Sequence, residues 1–115
     1  MKEIKKEERS KNLIKKLLNV WEDSVKATHH FLSDEEIEKI KEYVPQALSS
    51  ISHLIIETDE NENPIAFMGI DGNKLEMLFI KNSQKGKGLG KQLLNYGIKK
   101  YNVNELAVNE QNPDA

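Results

Sequence analysis

The stretch that most restricts this chain is Leu75-Glu76-Met77-Leu78-Phe79-Ile80, followed after a short polar break by Gln84-Lys85-Gly86-Lys87-Gly88-Leu89-Gly90-Lys91 and then by apolar residues at helical spacing. A strand that runs into a glycine-rich turn and on into a helix can aim several backbone N–H groups at one anion, helped by the positive end of the helix dipole. The pattern calls for a sheet with a helical crossover and favours a diphosphate-bearing ligand. Spacing removes two obvious ligand classes. A Walker A loop places four residues between its first glycine and a Gly-Lys pair that Ser or Thr follows; here three residues separate Gly86 from Gly90, and Gln92 stands at the hydroxyl position. The dinucleotide fingerprint needs a third glycine three positions after the second, where this chain has Lys91. Glu105 falls roughly where an acidic ribose ligand would lie, about 20 residues downstream, but one strand–helix–strand unit is too little for that fold.

Periodicity supplies the other elements. Met1 to Lys6 reads as a short first strand, and Ser10 to Ala27 as a helix whose Leu13, Ile14, Leu17, Leu18, Trp21 and Val25 form one buried stripe, with lysines facing water. Trp21 falls on that stripe and reads as core. Ser33 and Glu36 make a capping box for a second helix carrying Ile37, Ile40 and Val44 toward Pro45. His53 to Glu57 and Ile65 to Ile70 are strands joined by a polar hairpin loop; His53 starts a strand and carries no catalytic role in this reading. Asp71-Gly72-Asn73 turns the chain into Lys74 to Ile80, completing an antiparallel meander. After the glycines, Leu89, Leu93, Leu94, Gly97, Ile98 and Tyr101 give a helix, and Leu106 to Val108 a strand lying parallel to Leu75 to Ile80 through a right-handed crossover. The expected fold class is α/β (α+β): a mixed sheet, antiparallel meander plus parallel crossover strand, flanked by helices. At 115 residues, one domain spanning 1–115 accounts for the chain.

Charge narrows the partners. Seventeen Lys and Arg nearly cancel nineteen Asp and Glu, for a formal charge of -2, so the basic excess that long nucleic acids require is missing. No run approaches the roughly 20 apolar residues of a membrane span. The basic segment Lys2 to Lys16 lacks the apolar stretch of an export signal. With no cysteine there is no disulfide or thiolate chemistry, and the expected compartment is the cytoplasm.

Gln84, Gly86, Lys87, Gly88, Leu89 and Gly90, entered from a strand ending Leu-Phe-Ile, resemble the acyl-CoA loop of the GNAT superfamily of N-acetyltransferases. Trp21 to Leu32, Gly69 to Glu76 and Val108 to Pro113 extend the likeness from about Ile14 to the last residue. The resemblance implies acetyl-CoA as acyl donor and a primary amine, on a small molecule or a protein, as acceptor. It implies that Met77, Leu78, Phe79 and Ile80 splay from the parallel neighbour to pair with pantetheine, with an N–H near Met77 to Phe79 stabilising the thioester oxyanion. The amides from Lys87 onward would hold the pyrophosphate, and Lys85, Lys87 or Lys91 could add a charge-assisted contact. The amine attacks directly, with no metal and no redox cofactor.

Two proton transfers remain. Glu76, at the entry to the thioester strand and alternating with core-facing Leu75 and Met77, is the candidate base. Asn109 and Asn112 resemble family residues beyond the last strand, and Asn112 is assigned to the pantetheine arm or a bound water. His29 and His30 border the acceptor pocket by the same resemblance and could orient substrate or relay a proton. The family continues past Asn-Pro-x-Ala into a further helix and two strands, and its customary tyrosine acid lies there; Tyr96 and Tyr101 belong to a different helix and cannot replace it. A chain stopping at Ala115 is expected to leave Leu106 to Val108 as an open edge, inviting self-association between copies, or to be cut short relative to its gene product. An acyl-CoA-binding module without turnover and a structural, strand-paired dimer are the alternatives to an enzyme.

Overall fold

The computed structural model describes residues 1–28 and 33–106. Five strands form one sheet in the order β1-β2-β3-β4-β5: Lys2–Glu3, His53–Thr58, Pro64–Asp71, Lys74–Ile80 and Glu105–Leu106. Neighbours are antiparallel except β5, which runs parallel to β4 with Lys74 opposite Glu105 and Leu75 opposite Leu106. This is the mixed sheet anticipated from the sequence, and β4 has the expected bounds.

Helix α1 (Lys11–Thr28) and the short α3 (Val44–Ser50) cover one face, while α4 (Leu89–Tyr101) covers the other. β3 is buried on both sides: Phe67 packs with Leu17, Trp21 and Leu48, whereas Met68 and Ile70 pack with Leu93 and Val103. A strand clamped between two helical layers must be apolar at consecutive positions, and all of Ala66, Phe67, Met68 and Ile70 are buried. α1 starts at Ser10, whose hydroxyl accepts the Leu13 N–H at 3.1 Å.

The second helix departs from expectation. Its capping box is present, with the Ser33 hydroxyl accepting the Glu36 N–H at 3.1 Å and the Glu36 carboxylate accepting the Ser33 N–H at 3.5 Å. However, α2 (Asp34–Lys41) ends before Val44, and α3 begins there with Pro45 in its first turn. Proline has no N–H to give the Lys41 carbonyl and its ring would collide with it; inside a first helical turn neither defect matters.

A second correction concerns β4. The sequence places Leu75 and Met77 on one face, but the β3–β4 register slips so that Gly69 opposes Met77 while Ile70 opposes Leu75, leaving Glu76 as the extra residue of a bulge. The bulge resets the alternation. Leu75, Leu78 and Ile80 pack on the α4 side, and Met77 and Phe79 on the α1 side. Gly69 makes room for it, since a Cβ there would lie 2.8 Å from Met77 Cε.

Two polar ties fix the rim. The buried Arg9 guanidinium donates to the carbonyls of Ile4 (3.0 Å), Leu48 (3.0 Å) and Ile51 (2.7 Å), placing a cation at the C-terminal end of α3 where free carbonyls collect. Across the sheet, the Glu3 carboxylate accepts the Tyr101 hydroxyl and lies 2.9 Å from His53 Nδ1, while the His53 and Tyr101 rings stack at 4.2 Å.

Candidate active site

Beyond Ile80 the chain makes a short 3-10 turn, Asn82–Gln84, and reaches two glycines with left-handed backbone, Gly86 at φ 82° and Gly88 at φ 78°. A side chain in that region costs about 1–2 kcal/mol, so glycine is what allows the turn. Gly88 is the N-cap of α4, and it has no side chain to cap the first-turn amides. No acidic residue sits in that first turn, and Lys91 does. Glycine is an acceptable N-cap, but the first turn has no acidic side chain to complement the positive end of the helix dipole. The first-turn amides of Leu89, Gly90 and Lys91 receive no bond from the N-cap side chain and are available to donate to a bound anion.

These amides open on a cleft of about 790 Å³. Leu78 and Ile80 of β4 form its floor. The loop and the first turns of α4 line it as well, together with Ser24 of α1. Lys85 and Lys91 contribute to the lining, and among the described residues no carboxylate does. The arrangement offers backbone donors, cations and an apolar strand to a ligand that is anionic at one end and extended along β4.

Of the residues singled out in the sequence, Leu78, Ile80, Gln84, Lys85, Gly86, Gly88, Leu89, Gly90 and Lys91 line this cleft. Met77 and Phe79 do not, because the bulge turns their side chains toward α1; their backbone remains part of β4. Lys87 lies outside the lining, its ammonium 3.4 Å from the Gln84 side-chain oxygen. Glu76 is also outside it, with its carboxylate 3.7 Å from Lys74 Nζ at the bulge. His29, His30, Asn109 and Asn112 fall outside the described residues.

Sequence reasoning missed Ser24 as a wall residue and counted Leu94 only as core. The available signal for Ser24 was its place three residues after Trp21, a small polar group on the buried stripe of α1. Near it, Glu22 receives Lys41 at 3.1 Å and Lys26 at 3.5 Å, tying α2 to α1. The Lys41 hydrogen bond is the main reason the Glu22 carboxyl is held below its ordinary range, against the opposing effect of burial. Tyr96 and Tyr101 are both engaged elsewhere, Tyr96 with Lys100 at 3.0 Å and Tyr101 with Glu3. Burial first, and the Glu3 hydrogen bond second, push the Tyr101 hydroxyl far up.

Fold and site together define a class of protein in which a mixed sheet delivers a glycine-rich loop from the end of one strand to the head of a crossover helix. The sequence profile of the acetyltransferase (GNAT) domain matches residues 22–115, and the chain belongs to that family of N-acetyltransferases. It is 35% identical over 100 residues to the peptidyl-lysine N-acetyltransferase YjaB of Salmonella typhimurium, an overlap of 87% of this chain and 68% of that protein. The solution structure of apo-form YjaB from Escherichia coli superimposes with a TM-score of 0.78 at 29% identity, covering 97% of this chain and 72% of the other. The PaiA N-acetyltransferase of Thermoplasma acidophilum, a crystal structure in complex with coenzyme A, gives a TM-score of 0.65 at 25% identity over 97% of this chain and 82% of that one.

Proposed function

We propose that this protein transfers the acetyl group of acetyl-CoA to the side-chain amine of a lysine within a polypeptide. The observation that carries the donor half is the glycine-started α4, without an N-cap side chain, facing a cleft lined by Leu78 and Ile80 of β4. The acceptor half draws on the YjaB relatives, which are peptidyl-lysine N-acetyltransferases. The pyrophosphate sits against the amides of Leu89, Gly90 and Lys91, with Lys85 and Lys91 adding charge. The pantetheine arm runs along the backbone of Met77 to Ile80.

The chemistry is one displacement. The neutral lysine amine attacks the thioester carbonyl carbon, a C–N bond forms, and the oxygen gains negative charge that backbone N–H groups near Met77 to Phe79 stabilise. The C–S bond then breaks and coenzyme A leaves as thiolate. Glu76 takes the ammonium proton, directly or through water, from its place in the bulge; Asn112 serves the pantetheine arm, and His29 and His30 border the acceptor. The nitrogen sheds its second proton as the intermediate collapses, and that proton, directly or through water, returns the thiolate to thiol. The reading places the protein in the cytoplasm, where this donor is available, and includes pairing of copies along β5, an edge among the described residues whose Leu106 is 62% exposed.

Calorimetry with coenzyme A and thiol release from acetyl-CoA with a lysine-containing peptide test the two halves. Binding with turnover supports both, binding without turnover on any amine reduces the protein to an acyl-CoA-binding module, and no binding removes the proposal. Size exclusion at low concentration tests the pairing, which a monomer contradicts.

A further inference from the structure

We infer that Asp23 of α1 positions the glycine loop for the pyrophosphate of the acyl donor, an inference that rests on the acetyl-CoA reading above. The loop is anchored at its start by the Lys81 N–H, which donates to the Ile65 carbonyl at 2.9 Å, and at its end by α4. Between these anchors lie a 3-10 turn and two left-handed glycines. Glycine permits such a path but does not select it, because its backbone has many alternatives. Something outside the loop has to choose among them.

The Asp23 carboxylate accepts, at 2.7 Å, the N–H of Asn82, a residue 59 positions later in the chain. That N–H opens the 3-10 turn, where no preceding turn offers a carbonyl. The contact is short and charge-assisted, the stronger kind of hydrogen bond. Its foundation is firm, since Trp21 and Val25 on the same turns of α1 are buried in the core. The next residue, Ser24, lines the same cleft as the loop. One residue of α1 therefore holds the loop while its neighbour borders the ligand space, so a single helix ties the two together.

Asp23 is not itself a ligand for the donor. A carboxylate beside a pyrophosphate repels it, and Asp23 is absent from the cleft lining. Its contribution is geometric, so it is a positioning residue. A role of this kind has a signature that simple structural support does not share.

Replacement Asp23→Ala should raise the KM for acetyl-CoA about tenfold, equivalent to about 1.4 kcal/mol, with kcat within about twofold of the unaltered protein. Asp23→Asn keeps an acceptor oxygen and should restore most of the loss. With S-acetylpantetheine, which has no pyrophosphate to be gripped, Asp23→Ala should match the unaltered protein in kcat/KM. An unchanged or lowered KM for acetyl-CoA overturns the inference, as does an equal loss with both donors, which assigns Asp23 to general folding. If the unaltered protein fails to bind coenzyme A, the donor reading itself falls, a result distinct from any of these.

Discussion

Gly88→Ala isolates the cost of the left-handed loop. Gly88 has φ 78° and ψ 8°, and a Cβ built there meets nothing within 4 Å, so alanine introduces backbone strain without a clash. The strain is about 1–2 kcal/mol. For global stability it is offset in part by about 0.4–1 kcal/mol from the stiffer unfolded chain. A net loss near 1 kcal/mol lowers the melting midpoint by about 4 °C in a chain of this size. Binding feels the strain undiminished, because the unfolded state does not enter. A loop that relaxes to escape 1–2 kcal/mol is in its gripping shape about 5 to 30 times less often, and the apparent Kd for coenzyme A rises by that factor. Gly72, in the β3–β4 turn, is the control: it has φ 62° and the same open surroundings. Gly72→Ala should melt at a similarly reduced temperature yet bind coenzyme A within about twofold of the unaltered protein, as expected of distant, independent sites. Calorimetric titration of both variants beside thermal melts decides the matter. Unchanged affinity in Gly88→Ala, or an equal loss in Gly72→Ala, refutes the assignment of the loop as the pyrophosphate grip.

Glu76→Gln should lower kcat on a lysine peptide by about 100-fold, in keeping with loss of a general base; unaltered turnover ends its candidacy. Burial pushes the Glu3 carboxyl up, but hydrogen bonds from Tyr101 and His53, with the charges of His53 and Lys100, outweigh it and hold the group below its ordinary range. A carboxyl depressed in the folded state contributes stability above its unfolded pKa of about 4.3, and that contribution disappears as pH falls through the lower folded value. Urea midpoints should therefore drop on acidification below that point, and in Glu3→Gln this part of the drop should be missing; an identical acid limb in both proteins counts against the tie. Phe67→Ala removes a fully buried ring whose centroid lies 5.6 Å from that of Phe79, and should cost about 3–5 kcal/mol by urea unfolding, whereas a loss below about 1 kcal/mol contradicts the burial described.

Local signals in the chain carried much of this architecture. The Ser33–Glu36 capping box, the α1 stripe, the bounds of β4 and the glycine start of α4 are each fixed by neighbours a few residues apart, and each is found where the sequence places it. What escaped depended on distant partners. The reversal of Met77 comes from a register slip against Gly69 on another strand, and alternation alone cannot report it. Arg9 reads as one more surface cation until α3 brings its free carbonyls. Ser24 becomes a cleft residue only when the loop after β4 folds back toward α1. Pro45 was legible as a boundary, but not as the opening of another helix.

The contact between Glu3 and Tyr101 spans 98 positions, with consequences for the order of assembly. During synthesis the first strand can lie against β2 long before the last turn of α4 has left the ribosome, so its outer carboxylate waits for a latch that arrives late. Contacts of such long range reward the chain only after the large loop between them has closed. Weakening the latch should leave the rate of folding nearly untouched and hasten unfolding, which would then begin with β1 peeling from the margin of the sheet.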